Sequence, residues 1–189
     1  MVMSIRSALE WLAATSWSVA LHESLYVWPL LESTHVLSLT LFVGTAFMLD
    51  LRLLGVAMTG VPVSEFTGRV LPWTRFGFAI MVITGVLLFT ATPVTYYQSL
   101  FFRAKVILLI VAGVNAWVFH SRIHRRVAEW DTAGRPPKAA RVAAVVSLVA
   151  WTGVVIAGRL VAYNWFDCDV KRQSAFVTWA AGCIEPPAP

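Results

Sequence analysis

The chain has 189 residues, 58% of them apolar and 13% charged, which is too oily for an ordinary soluble domain and leaves almost nothing for a second one. The formal net charge of +5 gains its meaning from placement: Arg52, Arg69 and Arg75 flank one connection, and Arg122, Arg125, Arg126, Arg135, Lys138 and Arg141 crowd another. That clustering is a membrane-topology signal with attraction to anionic lipid as a secondary effect, and it argues against nucleic acid as a partner.

Residues 4–21 place Ile5, Leu9, Leu12, Trp17 and Val19 among polar neighbours, the pattern of an amphipathic helix lying in the membrane interface. The segment lacks the short apolar core and small-residue cleavage site of a secretory signal peptide, so it is expected to stay on the protein. About 20 apolar residues cross about 30 Å of hydrocarbon as a helix. Four runs qualify, at 30–54, 71–92, 101–119 and 142–165.

The first connection, GVAMTGVPVSEFTGR, has the Gly, Pro, Ser and Thr content of a loop. The second, ATPVTYYQSL, is short and aromatic, with Tyr96 and Tyr97 suited to an interface. The third begins as a helical extension, HSRIHRRVAEWD, and breaks at TAGRPPK. Short connections make neighbouring spans antiparallel, which predicts an all-α integral membrane protein: an up-down four-helix transmembrane bundle with an N-terminal interfacial helix, forming a single membrane domain over 1–189. The positive-inside rule then puts the first and third connections in the cytoplasm and both termini outside, on the periplasmic side of a bacterial inner membrane. Small residues supply close helix approach: Gly44 and Ala46, then Gly77, Ala79 and Gly85, then Ala112, Gly113 and Ala116, then Gly153, Ala157 and Gly158.

The outer tail, 166–189, holds Cys168 and Cys183. On the oxidising side of a membrane a disulfide between them persists, and closing a loop of about 15 residues contributes roughly 3 kcal/mol in the chain-entropy view. Two unpaired thiols are the alternative. Neither has a CxxC or haem-attachment neighbour.

Ionisable groups inside spans are costly, and they mark candidate sites. At 1.5 Å per residue, His35 falls about 8 Å below the outer start of the first span, Lys105 about 6 Å below that of the third, and Arg159 about 9 Å from the outer end of the fourth. The three converge on one layer. A neutral imidazole near two cations suits an anionic cofactor whose metal takes nitrogen, and haem b meets both demands through axial His ligation and propionates that pair with Arg or Lys. His22, in HESLYVWP, lies on the correct side for a second axial ligand; five-coordinate haem on His35 alone is an equal option. Phe42, Phe47, Phe76, Phe78 and Trp151 offer an aromatic lining. Snorkelling to the headgroups is the plainer reading of Lys105 and Arg159, and a neutral core histidine the plainer reading of His35.

Glu32, one turn before His35, is expected to orient the imidazole or pair with Lys105. Asp50 and Arg52 are expected to fix the helix end, with Asp50 paired to Arg75 or to the basic third connection. His120 and His124, four apart, have a metal-holding spacing, but the arginines around them repel a cation. Thr84 and Asn115 are mid-span groups suited to bonds across helices or to carbonyls.

The run from LYVWPLLESTHVLSLTLFVGTAFMLDLRLLG through LPWTRFGFAIMVITGVLLF to FFRAKVILLIVAGVNAWVFH resembles a small bacterial four-helix membrane family known as a domain of unknown function. More distantly, His35 with Gly44 nine residues on, and Lys105 in a later helix, are similar to the copper-resistance D membrane domain and the HemJ-type protoporphyrinogen oxidase. The latter resemblance implies a haem b bundle in which His35 and Lys105 matter. The chain departs from that family at Val36, where a Trp commonly follows the His, and at Val118, Phe119 and His120, which replace a Tyr-His ending. Those departures weigh against protoporphyrinogen oxidation.

The leading expectation is a haem b-binding membrane electron-transfer subunit linking a membrane or periplasmic redox protein to the quinone pool or another redox protein, with His35, His22, Lys105 and Arg159 at the cofactor and the lipid bilayer as solvent. Two other classes remain: copper or other metal delivery through His22 and His35, and a non-catalytic anchor or scaffold in a homo- or hetero-oligomer.

Overall fold

The computed structural model describes residues 5–123, 125, 127–131, 136–163, 165–166 and 173–181. Within them the structure is helical. Four helices are long and apolar enough to cross a membrane: α3 (Val27–Leu54), α4 (Val63–Ala91), α6 (Leu100–Val118) and α8 (Lys138–Leu160). Short helices join or flank them, namely α1 (Ile5–Ala13), α2 (Ser16–Glu23), α5 (Pro93–Gln98), α7 (Val127–Trp130) and α9 (Ala175–Ala181). The disulfide expected between Cys168 and Cys183 lies outside the described residues, as does His124.

The N-terminal segment is two helices rather than one. Thr15 ends the first by donating to the Leu12 carbonyl and caps the second by accepting from the Ser18 amide, the usual work of a threonine at a helix start. Ser18, 1% exposed, donates to the carbonyls of Thr90 and Ala91 at the end of α4. Those carbonyls have no partner within α4, so one hydroxyl both caps α4 and moors α2 to it.

α4 begins at Val63, earlier than the apolar run at 71 suggests. Val63 and Phe66 are buried, so a polar-looking segment carries an apolar face. Pro72 sits inside the helix and cannot donate to the Gly68 carbonyl. At the opposite end of the first connection, Gly55 closes α3 in the left-handed conformation, φ 73°, with Val56 N–H returning to the Leu51 carbonyl, a closure that favours glycine.

α3 packs against α4 and α8, and α8 packs against α6; α4 and α6 make no comparable interface. The four helices therefore form an arc with α4 and α6 at its two ends. His35 near the start of α3 meets Thr84 near the end of α4, so that pair is antiparallel. Closest approach falls at glycines: a Cβ on Gly77 would lie 3.0 Å from Phe42 N, and one on Gly153 would lie 2.8 Å from Leu108 Cδ1. The core on the inside of the arc unites Phe42, Met81, Ala112, Ala150, Trp151 and Val154, with Phe42 edge-on to Trp151 at 4.6 Å between centroids. A second cluster, Leu53, Val63, Ala140 and Ala144, closes the end of the bundle that carries the basic connections.

Candidate functional site

Between the two ends of the arc lies a cavity of about 1480 Å³, lined from Glu32, His35 and Tyr96 at one extreme to Arg52, Arg75 and His120 at the other. This is larger than the roughly 300–1,000 Å³ of ordinary small-molecule sites. Its walls are the aromatic and aliphatic side chains of α3, α4, α6 and α8, including Phe42, Phe78 and Trp151.

His35 is set in that wall by two residues of α4. Its Nδ1 lies 2.9 Å from Thr84 Oγ1, and the Thr84 hydroxyl donates to the Ile80 carbonyl at 2.8 Å. A hydroxyl has one proton to give, so while Thr84 donates to the Ile80 carbonyl it can only accept from His35, and that arrangement requires the tautomer with hydrogen on Nδ1. In that tautomer Nε2 keeps the lone pair, the form a histidine needs to bind a metal. Gly85 makes the approach feasible, because a Cβ there would lie 3.2 Å from His35 Cε1.

Lys105 is accommodated in the same manner from the facing pair. Its chain crosses Gly158, where a Cβ would lie 3.4 Å from Nζ, and its charge is felt at His35. His35 and Lys105 thus line one cavity, each laid over a glycine of the neighbouring helix. Arg159 also lines the cavity, but it is exposed and its guanidinium is engaged with Tyr163, donating from Nη2 to Oη at 3.1 Å and lying 5.1 Å from the ring centroid. His22 is not brought to the site. It is exposed on α2, edge-on to Trp28 at 5.4 Å, and is not among the cavity-lining residues.

Glu32 does not take the place expected of it. Thr84, not Glu32, orients the imidazole, and among the described residues no ion pair joins Glu32 to Lys105. Glu32 acts on Tyr96 instead: burial first, and then the Glu32 charge, raise the Tyr96 phenol above its usual range. Tyr96 belongs to an aromatic cluster with Phe89 and Phe102, at 6.2 Å and 5.1 Å between centroids, which joins α4, α5 and α6 at this end of the cavity.

At the basic end the expectation for Asp50 and Arg52 is half met. Arg52, 4% exposed, fixes the first connection by donating from Nε and Nη2 to the Val61 carbonyl at 2.8 and 2.6 Å. Asp50 has no ion pair to Arg75 among the described residues; Ser147 on α8 faces it. Thr84 and Asn115 do bond across helices, Asn115 to the Ala143 carbonyl at 2.9 Å. Among the described residues no three His, Cys, Asp or Glu side chains group as a metal site.

Sequence reading missed Thr84 as the orienting group, the two cradling glycines, and Arg103. The last donates to the carbonyls of Tyr97, Ala180 and Ala181 and lies over the Tyr97 ring at 4.8 Å, so it ties α9 to α6. An arginine at the start of an apolar span carries no signal that separates this task from snorkelling.

Four long apolar helices around a cavity with an ionisable wall define a multi-pass helical membrane protein. Residues 20–164, which include all four of those helices, match DUF6644, a family of unknown function, and the chain belongs to that family. No curated protein and no solved structure matches it.

Proposed function

We propose that this protein is a membrane electron-transfer subunit that holds haem b in the cavity through His35 and links a redox partner on the periplasmic side to the quinone pool or another redox protein. The observation that supports it is a histidine with Nδ1 committed to Thr84, on the wall of a cavity of about 1480 Å³, beside Lys105. Metal-bound histidines characteristically donate their second ring nitrogen to such a partner. The residues fit the group: His35 offers Nε2 to iron, Lys105 and Arg159 offer cations to the propionates, and the aromatic wall suits a macrocycle. Haem supplies one-electron transfer when bound. The chain's own part is to orient the imidazole at Thr84 and give it room at Gly85. With His22 outside the cavity, His35 is the histidine that would hold the iron.

The same reading makes α1 and α2 an interfacial hairpin and the four long helices an up-down bundle in a bacterial inner membrane. Its basic connections face the cytoplasm and both termini the periplasm, following the positive-inside rule.

The test is a reduced-minus-oxidised absorption spectrum of the purified protein, with metal analysis on the same sample, for the wild type, His35→Ala and Thr84→Val. A b-type spectrum is expected, lost in His35→Ala; loss of the outer-shell partner in Thr84→Val should weaken haem retention about 10- to 100-fold. A colourless, metal-free protein after haem-replete expression would overturn the reading in favour of a cofactor-free scaffold. Copper or another metal without haem would replace it with metal delivery.

A further inference from the structure

Asp50 lies on α3, at the end of the cavity opposite His35, and is 7% exposed. Its Oδ2 is buried without a hydrogen-bond partner, and the Ser147 hydroxyl from α8 faces the carboxyl group. Among the described residues, the charged and titratable ones that share this part of the cavity are Arg52 on α3, Arg75 on α4 and His120 just beyond α6. Arg52 spends its guanidinium on the Val61 carbonyl, and the Asn115 amide donates to the Ala143 carbonyl. Among the described residues the ion pairs are Arg6–Glu10 and Arg69–Glu65, so none of the described cations is paired with Asp50.

An ionised carboxylate is not left in that condition. Taken out of water, with no described counter-ion and with one oxygen lacking any donor, the group is driven towards the neutral acid. A carboxylic acid lining a cavity inside a membrane helix is a group that can hold and release a proton where water is scarce. Ser147 can stabilise either form, because a hydroxyl both donates and accepts.

We propose that Asp50 is a proton-binding site of the cavity, a carboxylic acid that exchanges its proton with the end of the cavity lined by Arg52, Arg75 and His120. The site is separate from His35 and does not depend on haem. A colourless protein would leave the proposal standing.

The experiment uses the full chain in liposomes at neutral pH. Infrared spectra should contain the carbonyl stretch of a protonated carboxylic acid that Asp50→Asn removes, and the band should shift on transfer to D2O as the proton exchanges. A lipophilic carbodiimide should label Asp50 of the wild type, mapped by peptide mass spectrometry. The acid O–H adds across one C=N bond, proton to nitrogen and oxygen to carbon, so the peptide gains the whole reagent and nothing leaves. If Asp50→Asn fails to fold, Asp50→Glu keeps the acid and should move the band. An acid band unaffected by either substitution, or an Asp50 band that never shifts in D2O, would overturn the proposal.

Discussion

Thr84 and Gly85 together decide what His35 can do, one by bonding Nδ1 and the other by leaving space. Gly85→Ala should displace the imidazole by a few tenths of an ångström, since the added methyl would sit 3.2 Å from Cε1; the check is a changed absorption spectrum with the fold intact by circular dichroism. Asp131 is the other side chain with a readable chemical consequence. It accepts from the Ser64 amide at 2.9 Å and from the Ser64 hydroxyl, and the Ser64 side-chain bond first, then the backbone bonds and the Arg52 charge, hold its carboxyl below the usual range. A carboxyl lowered in the folded state contributes stability above its ordinary value and loses it as pH falls through the lowered one. Acidification through that window should therefore speed amide exchange in α7 and the start of α4, and Asp131→Ala should show the faster exchange already at neutral pH. His35 and Lys105 could be read from sequence because ionisable groups in apolar runs are expensive. Thr84, Gly85 and Gly158 could not, because threonine and glycine are equally ordinary packing residues in such runs.

The helices differ in how they tolerate added volume at their crossings. At Gly77 a methyl would press on backbone, at 3.0 Å from Phe42 N and 3.2 Å from Ser38 O, so Gly77→Ala should separate α3 from α4 and cost about 1–3 kcal/mol. At Gly153 the obstacle is the tip of Leu108, which can rotate away, and Gly153→Ala should cost less. Gly44 faces open space, and Gly44→Ala should be neutral or stabilising by up to about 1 kcal/mol. Thermal unfolding of the three variants in one lipid mixture would check the order. Four spans were readable from hydropathy alone, but the start of α4 was not. Between Val63 and Val70 the apolar residues lie on one face only, and a search for continuous apolar runs passes over an amphipathic turn. The break between α1 and α2 was missed for a related reason: a threonine cap at residue 15 is a local signal inside a weakly periodic segment.

The arc of α4, α3, α8 and α6 is joined at its termini by small polar devices. Ser18 moors α2 to α4, and Arg103 holds α9 through the carbonyls of Ala180 and Ala181 while also bonding Tyr97 of α5. Arg103→Ala leaves those carbonyls without their donor and should release α9 while the four long helices stay packed. Limited proteolysis should then cut near Ala175–Ala181 far faster than in the wild type, with little change in thermal unfolding. Neither attachment was readable from sequence, since both depend on which helix ends meet in space.

Because α4 and α6 make no interface to match the other helix pairs, a lateral opening of the cavity to the surrounding hydrocarbon would lie between them. Occupancy of such a slot follows the partition of a molecule into the bilayer, not its concentration in water. A poorly soluble molecule that concentrates in lipid would fill it at low total dose. Alkyl chains of a detergent would compete for the same volume during purification, so binding to this protein is best measured in nanodiscs of defined lipid.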